Sequence, residues 1–160
     1  MSSTLSISVV ARILLRQIGR GDLPVGRKLS DEAALAQTLG VPESAVRRAL
    51  CELDAAGVLT TGPRAVRVVA RRDQWRISAA RPTRRSRAVA RSIRRMIYDR
   101  ALSPGELLNP GDIAKRVTIR CDRRDISDAL IELAASGLAS PQAKPAGFVA
   151  RQPQRWQSQL

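Results

Sequence analysis

The sequence predicts a mainly α-helical protein with small β-ribbons, built from two tandem copies of one module. Three observations predict it. Residues 10–24 (VARILLRQIGRGDLP) recur as residues 89–103 (VARSIRRMIYDRALS), a shift of 79. Further on, Ala49-Leu50 and Leu53 recur as Ala129-Leu130 and Leu133, and Ala55-Ala56-Gly57-Val58 as Ala135-Ser136-Gly137-Leu138, at a shift of 80. Each copy also shows three stretches of helical apolar spacing followed by two short β-rich runs. Finally, apolar residues make up 44% of the chain but aromatics only 2%. A core of Leu, Ile, Val and Ala suits small packed helices better than a broad β-sandwich. Two copies indicate tandem domains rather than a solenoid, and 160 residues accommodate two small domains.

In the first copy, Val10, Ile13, Leu14 and Ile18 lie at helical spacing, with Arg12, Arg16 and Arg20 opposite. Gly21 and the Pro24-Val25-Gly26 turn end this helix. Ser30 is expected to cap SDEAALAQTLG, whose apolar Ala33, Leu35, Ala36 and Leu39 face inward and which stops at Gly40. A third helix, ESAVRRALCELDAAG, turns Val46, Ala49, Leu50 and Leu53 inward. Val58–Thr61 and Ala65–Val69, split by Gly62-Pro63-Arg64, form a hairpin. The second copy repeats this with helices near 87–100, 110–117 and 123–136, then a hairpin over 138–151 with a Pro/Gly-rich tip. Domain boundaries follow: residues 1–72, an Arg-rich linker over 73–86, and residues 87–160.

Charge narrows the function. The net charge is +14 and the pI about 11.6; of 28 basic residues only Lys28, Lys115 and Lys144 are Lys. The guanidinium fork matches phosphate oxygens and guanine edges, and so basic a chain implies a polyanionic partner. From Arg64 to Arg95 there are twelve Arg against one acid, Asp73, more than solubility requires. The chain has no His, which excludes nucleophile–His pairs. Asp31-Glu32 is explained by a helix start, and no Gly-rich phosphate loop exists, so no enzyme, cofactor or metal is expected. Cys51 and Cys121 are expected to be small buried residues in a reducing cytoplasm. No apolar run approaches a membrane span, and the first residues lack the pattern of a signal peptide. Trp75, Tyr98, Phe148 and Trp156 are too scattered to make an RNA-stacking platform; the two Trp are expected to pack the ends of the copies onto their cores.

One stretch carries a family resemblance. Gly21, Leu23, Gly26 and Leu29 lead into Leu35-Ala36 and Leu39-Gly40-Val41, then Val46-Arg47 and Ala49-Leu50, then Gly57-Val58-Leu59. This series resembles the winged helix-turn-helix module of GntR-type bacterial transcription regulators over residues 10–70. The second copy is similar through Leu102-Ser103-Pro104-Gly105, Ile113-Ala114, Ile126, Ala129-Leu130 and Gly137-Leu138. The resemblance implies tandem winged helix-turn-helix domains without the family's usual effector-binding domain.

It also implies which helix reads DNA. Family members commonly start that helix with a hydroxyl cap and an Arg; here Pro42 and Glu43 stand there, and Ala33 replaces a frequent basic residue. Arg47 matches the family's helix-three Arg, with Arg48 beside it. In the second copy Asp122 and Asp125 form a box-like cap around Arg123 and Arg124, and Ser127 takes the place of Arg47. Candidate DNA contacts are therefore Ser44, Arg47, Arg48, Arg123 and Arg124 on the reading helices, Arg64, Arg67 and Lys144 on the wings, and Arg84 and Arg85 in the linker. The function so implied is a cytoplasmic, nucleoid-associated transcription regulator that reads two half-sites of double-stranded DNA. A homodimer or a regulatory protein is a further partner. The alternatives are a protein-binding regulator on the same scaffold and a DNA-architectural, partition or recombination factor.

Overall fold

A computed structural model describes residues 8–77, 81–142 and 147–151. The chain divides into two compact units, Met1–Arg81 and Pro82–Leu160. The division falls inside the expected linker, and residues 84–86 of that linker are the first turn of a helix.

Unit one begins with α1 (Val9–Arg20), capped by the Ser8 hydroxyl, which accepts from the Ala11 amide. Its apolar stripe is buried: Ile13 and Leu14 are within 1% of full burial. Helix α2 (Glu32–Leu39) is capped by Asp31, whose carboxylate accepts from the Ala34 amide at 2.7 Å. The expected Ser30 cap is thus displaced by one residue: Asp31 holds the extended N-cap conformation and the stronger acceptor. Ala33, expected inward, is exposed, because only Leu35, Ala36 and Leu39 lie on the packed face of this two-turn helix. Helix α3 (Glu43–Ala55) follows a short turn from Gly40 and buries Val46, Ala49, Leu50 and Leu53 against α1 and α2. Strands β1 (Leu59–Thr61) and β2 (Arg67–Val69) pair antiparallel, with Leu59 opposite Val69. Between them Pro63–Ala65 makes a 3-10 turn in which Arg64 adopts φ +62°. A bridge from Lys28 to Val68 adds the loop before α2 to this ribbon.

Unit two repeats the element order. Helix α4 (Arg84–Tyr98) is capped by Thr83, α5 (Pro110–Arg116) by Asn109 and α6 (Arg123–Ala135) by Asp122. Strands β3 (Ala139–Gln142) and β4 (Gly147–Ala150) pair antiparallel. Backbone bonds recur at matching places. Val58 N donates to Leu53 O at 3.0 Å and Leu138 N to Leu133 O at 2.9 Å. Ala70 N donates to Val58 O at 2.8 Å and Arg151 N to Leu138 O at 2.9 Å. Leu29 N donates to Arg67 O, and Leu108 N to Phe148 O. The Leu107–Val149 bridge answers the Lys28–Val68 bridge.

After β2, Trp75 is half-buried and its indole N–H donates to Ala70 O at 3.0 Å, while Arg72 lies over the ring. The tail of unit one is fastened in this way; Trp156 lies outside the described residues. Cys51 is exposed and Cys121 half-buried, contrary to the expectation that both are buried. Cys51 sits on the outer side of α3, in line with Arg47 and Arg48, where no element covers it.

Candidate nucleic-acid interface

The outer face of α3 carries Glu43, Ser44, Arg47, Arg48 and Cys51, all exposed, at three- and four-residue intervals. Pro42 stands at the N-cap without a side-chain bond to the helix; the Ala45 amide donates to Pro42 O at 3.1 Å, and Glu43 is the acidic residue of the first turn. Both arginines are already paired. Arg47 Nε lies 3.0 Å from Glu32 Oε2 on α2, and Arg48 Nε lies 3.3 Å from Glu52 Oε1 one turn along α3. Glu52 also accepts the Ser8 amide at 2.9 Å. Burial pushes the Glu52 carboxyl up, but the hydrogen bonds from Ser8 and the Arg48 charge outweigh burial, and its pKa lies below the ordinary value. Such a group stabilises the fold above its unfolded-state pKa, and that contribution is lost as pH falls through the depressed folded value. Replacing Glu52 by Gln is expected to lower the melting temperature at neutral pH and to have no effect once acid has protonated Glu52; an unchanged gap in acid would refute this.

The wing is tied to the same carboxylates. Arg67 Nε is 3.1 Å from Asp54 Oδ2, and its Nη1 is 3.6 Å from Glu32 Oε1. Arg67 is therefore half-buried at the base of the wing, linking β2, α2 and α3, and meets DNA only by leaving these partners. Arg64 is the wing-tip cation: it is exposed, and its positive φ turns the chain at the ribbon's end. The network of Glu32, Arg47, Asp54 and Arg67 was not foreseen from the sequence, since its members lie 13 to 15 residues apart in the closest cases.

Unit two has none of it. At the matching places stand Pro110 for Glu32, Ser127 for Arg47, Ala134 for Asp54 and Phe148 for Arg67. Instead the start of α6 is built as the sequence suggested. The Asp122 carboxylate accepts from the Asp125 amide at 2.8 Å, and Asp125 accepts from the Asp122 amide at 3.2 Å, a complete capping box. Arg123 and Arg124 are exposed in that first turn, and neither is in an ion pair among the described residues. Asp125 is buried and also accepts the Thr83 hydroxyl at 3.2 Å. Since Thr83 caps α4, this bond brings the first turn of α4, with exposed Arg84 and Arg85, beside the first turn of α6. Sequence spacing gave no sign of the Thr83–Asp125 link across 42 residues. Cys121 precedes this turn; burial, then the Asp125 and Asp122 charges, push its thiol pKa up, so it stays a neutral thiol. Lys144 lies outside the described residues.

Freeing Arg47 from its carboxylate has a measurable consequence. Exposed ion pairs are worth about 0–1 kcal/mol, so Glu32→Gln, which releases Arg47 and removes a negative charge, is expected to raise affinity for arbitrary duplex by up to about fivefold. A loss of affinity would mean instead that Glu32 holds Arg47 in its binding position.

Three helices, a tight turn between the second and third, an exposed third helix and a two-stranded ribbon define residues 8–70 as a winged helix-turn-helix domain. Residues 7–68 match the family model described as "Bacterial regulatory proteins, gntR family". Among solved structures the chain is similar to a Streptococcus agalactiae GntR, at 22% identity and a TM-score of 0.37, covering 56% of this chain and 45% of that one. The chain thus spans less than half the length of that protein. No curated protein matches the chain. Among the described residues, no helix is long and apolar enough to cross a membrane, and no cluster of His, Cys, Asp and Glu could hold a metal.

Proposed function

We propose that the chain is a bacterial transcription regulator in which both units are winged helix-turn-helix modules, together reading a two-half-site target in duplex DNA. The observation that carries this reading is the recurrence of the backbone hydrogen bonds of residues 26–70 through residues 105–151. In this reading α3 and α6 each enter a major groove. Arg123 and Arg124, uncommitted and in the first turn, make the stronger base-edge or phosphate contacts. Ser44, Arg47 and Arg48 contribute from α3, Arg64 and Lys144 follow the backbone from the wings, and Arg84 and Arg85 add sequence-independent attraction beside α6. Arg67 secures the first wing. The two half-sites would lie about one helical turn apart or a multiple of it, and a homodimer would extend the target. The protein would work on the nucleoid, in the cytoplasm.

A second reading has its own support in unit one. Arg47 and Arg48 are each held by an acid, and Glu43 occupies the first turn. A helix face so neutralised suits a protein partner, with unit two as the DNA reader. Footprinting on native genomic fragments at two salt concentrations tests both. A discrete protected site that survives moderate salt supports specific reading. Uniform binding lost with salt favours an architectural factor, and no binding refutes every DNA reading.

A further inference from the structure

One face of α4 is a row of cations that the reading of DNA by α6 does not use. Arg87, Arg91 and Arg95 recur at four-residue steps, all exposed, and Tyr98, 60% exposed, ends the row. The three arginines span about 12 Å of helix. No acid occurs in α4, and none of the three is in an ion pair among the described residues. At the shift of 79, Arg91 and Arg95 correspond to Arg12 and Arg16 of unit one, while Arg87 and Tyr98, which complete the row, replace Ser8 and Gly19.

The direction of this row matters. The opposite face of α4 (Ser86, Val89, Ala90, Ile93 and Ile97) is buried, and α6 is the helix it meets most extensively. On α6, Asp125 meets α4 through Thr83. At about 100° per residue, Arg124 and Arg123 are turned about 100° and 160° away from it. The reading arginines of α6 thus face away from α4, while the α4 row faces away from α6. A straight duplex on the outer side of α6 does not reach Arg87, Arg91 and Arg95. A membrane surface suits the row poorly, since an interfacial helix inserts an apolar face and that face of α4 is occupied by the core. A duplex suits it well. It presents one negative charge per about 1.7 Å of its axis, and Tyr hydroxyls as well as guanidinium groups contact phosphate oxygens.

From these positions we infer that the Arg87-Arg91-Arg95-Tyr98 face of α4 binds the phosphate backbone of a second DNA segment, so that one molecule bridges two duplexes. This rests on the DNA-binding reading above, and a capture assay separates the two. A duplex is immobilised and coated with the full chain, and capture of a labelled second duplex of arbitrary sequence is measured. The variant Arg87→Gln/Arg91→Gln/Arg95→Gln is expected to keep protection of any discrete site within about twofold. It should lose second-duplex capture at least about tenfold and reduce the salt dependence of capture by two to three units of slope, at about 0.9 per phosphate contact. The equally charged control Arg12→Gln/Arg27→Gln/Arg100→Gln should capture normally. Undiminished capture by the α4 variant overturns the inference. So does loss of site protection in step with capture, which would place the row on the first duplex. Loss of poly-glutamate binding with capture intact also overturns it, and would assign the row to an acidic protein. Capture is read on any coated duplex, so the absence of a protected site is a failure of the regulator reading alone.

Discussion

Replacing Arg123 and Arg124 together by Ala is expected to weaken binding at a discrete DNA site by at least about 30-fold. Each well-aligned Arg contact to a base edge is worth about 1–3 kcal/mol, and about 1.4 kcal/mol is a factor of ten. Two lost contacts therefore cost about 30-fold at the lower bound and about 100-fold at about 1.4 kcal/mol each. If the pair touches phosphates instead, the loss is uniform across sequences and the salt slope falls by about two. Footprinting across a salt series separates these cases. The substitutions leave the fold intact, because both side chains are exposed and the cap is made by Asp122 and Asp125. The companion pair, Arg47→Ala with Arg48→Ala, is expected to cost less, since binding through those residues must first break contacts with Glu32 and Glu52. The reverse order of effects would make unit one the principal reader. Equal affinity of both variants with the parent chain would remove both helices from the interface.

That asymmetry shows where the sequence was informative. The apolar positions of α3 were legible because Val46, Ala49, Leu50 and Leu53 recur with helical period. The capping box was legible because it is local, three residues from Asp122 to Asp125. The start of α2 was not: Ser30, Asp31 and Glu32 all suit a helix start, and backbone geometry chose Asp31. The start of α4 was missed because Arg84-Arg85 read as linker charge, while Thr83 supplies the cap. What joins distant residues was hidden altogether. Arg47 and Arg67 look like two free cations in the sequence, but folding places both on Glu32. Likewise the α4 arginines read only as a charge run until burial showed which of them share the outer face.

The largest stability effect is expected at Gly57, and its counterpart in unit two supplies the control. Gly57 has φ +76° and Gly137 φ +80°, and both follow the third helix of their unit. Each turns the chain from that helix into the ribbon, with the next amide donating back to Leu53 O or Leu133 O. An added Cβ at either position is strained by the left-handed backbone, at about 1–2 kcal/mol. At Gly137 no described atom lies within 4 Å of such a Cβ, and the backbone strain is the cost expected among the described residues. At Gly57 the Cβ would also overlap the main-chain oxygen of Gln74. That carbonyl cannot simply swing away: Arg76 N donates to Ala56 O at 2.7 Å, and the Trp75 indole is held on Ala70 O. Relieving the overlap means lifting the segment 72–76 off the unit, with a further cost of about 1–3 kcal/mol. Gly57→Ala is therefore expected to destabilise unit one by about 3 kcal/mol and Gly137→Ala to destabilise unit two by about half as much. Thermal melting measures both, and Trp75 fluorescence should change early in the first variant and late in the second. Equal shifts in the two variants would show that the tail after β2 does not press on the turn. A larger shift for Gly137→Ala would show that the overlap with the Gln74 carbonyl is relieved at little cost.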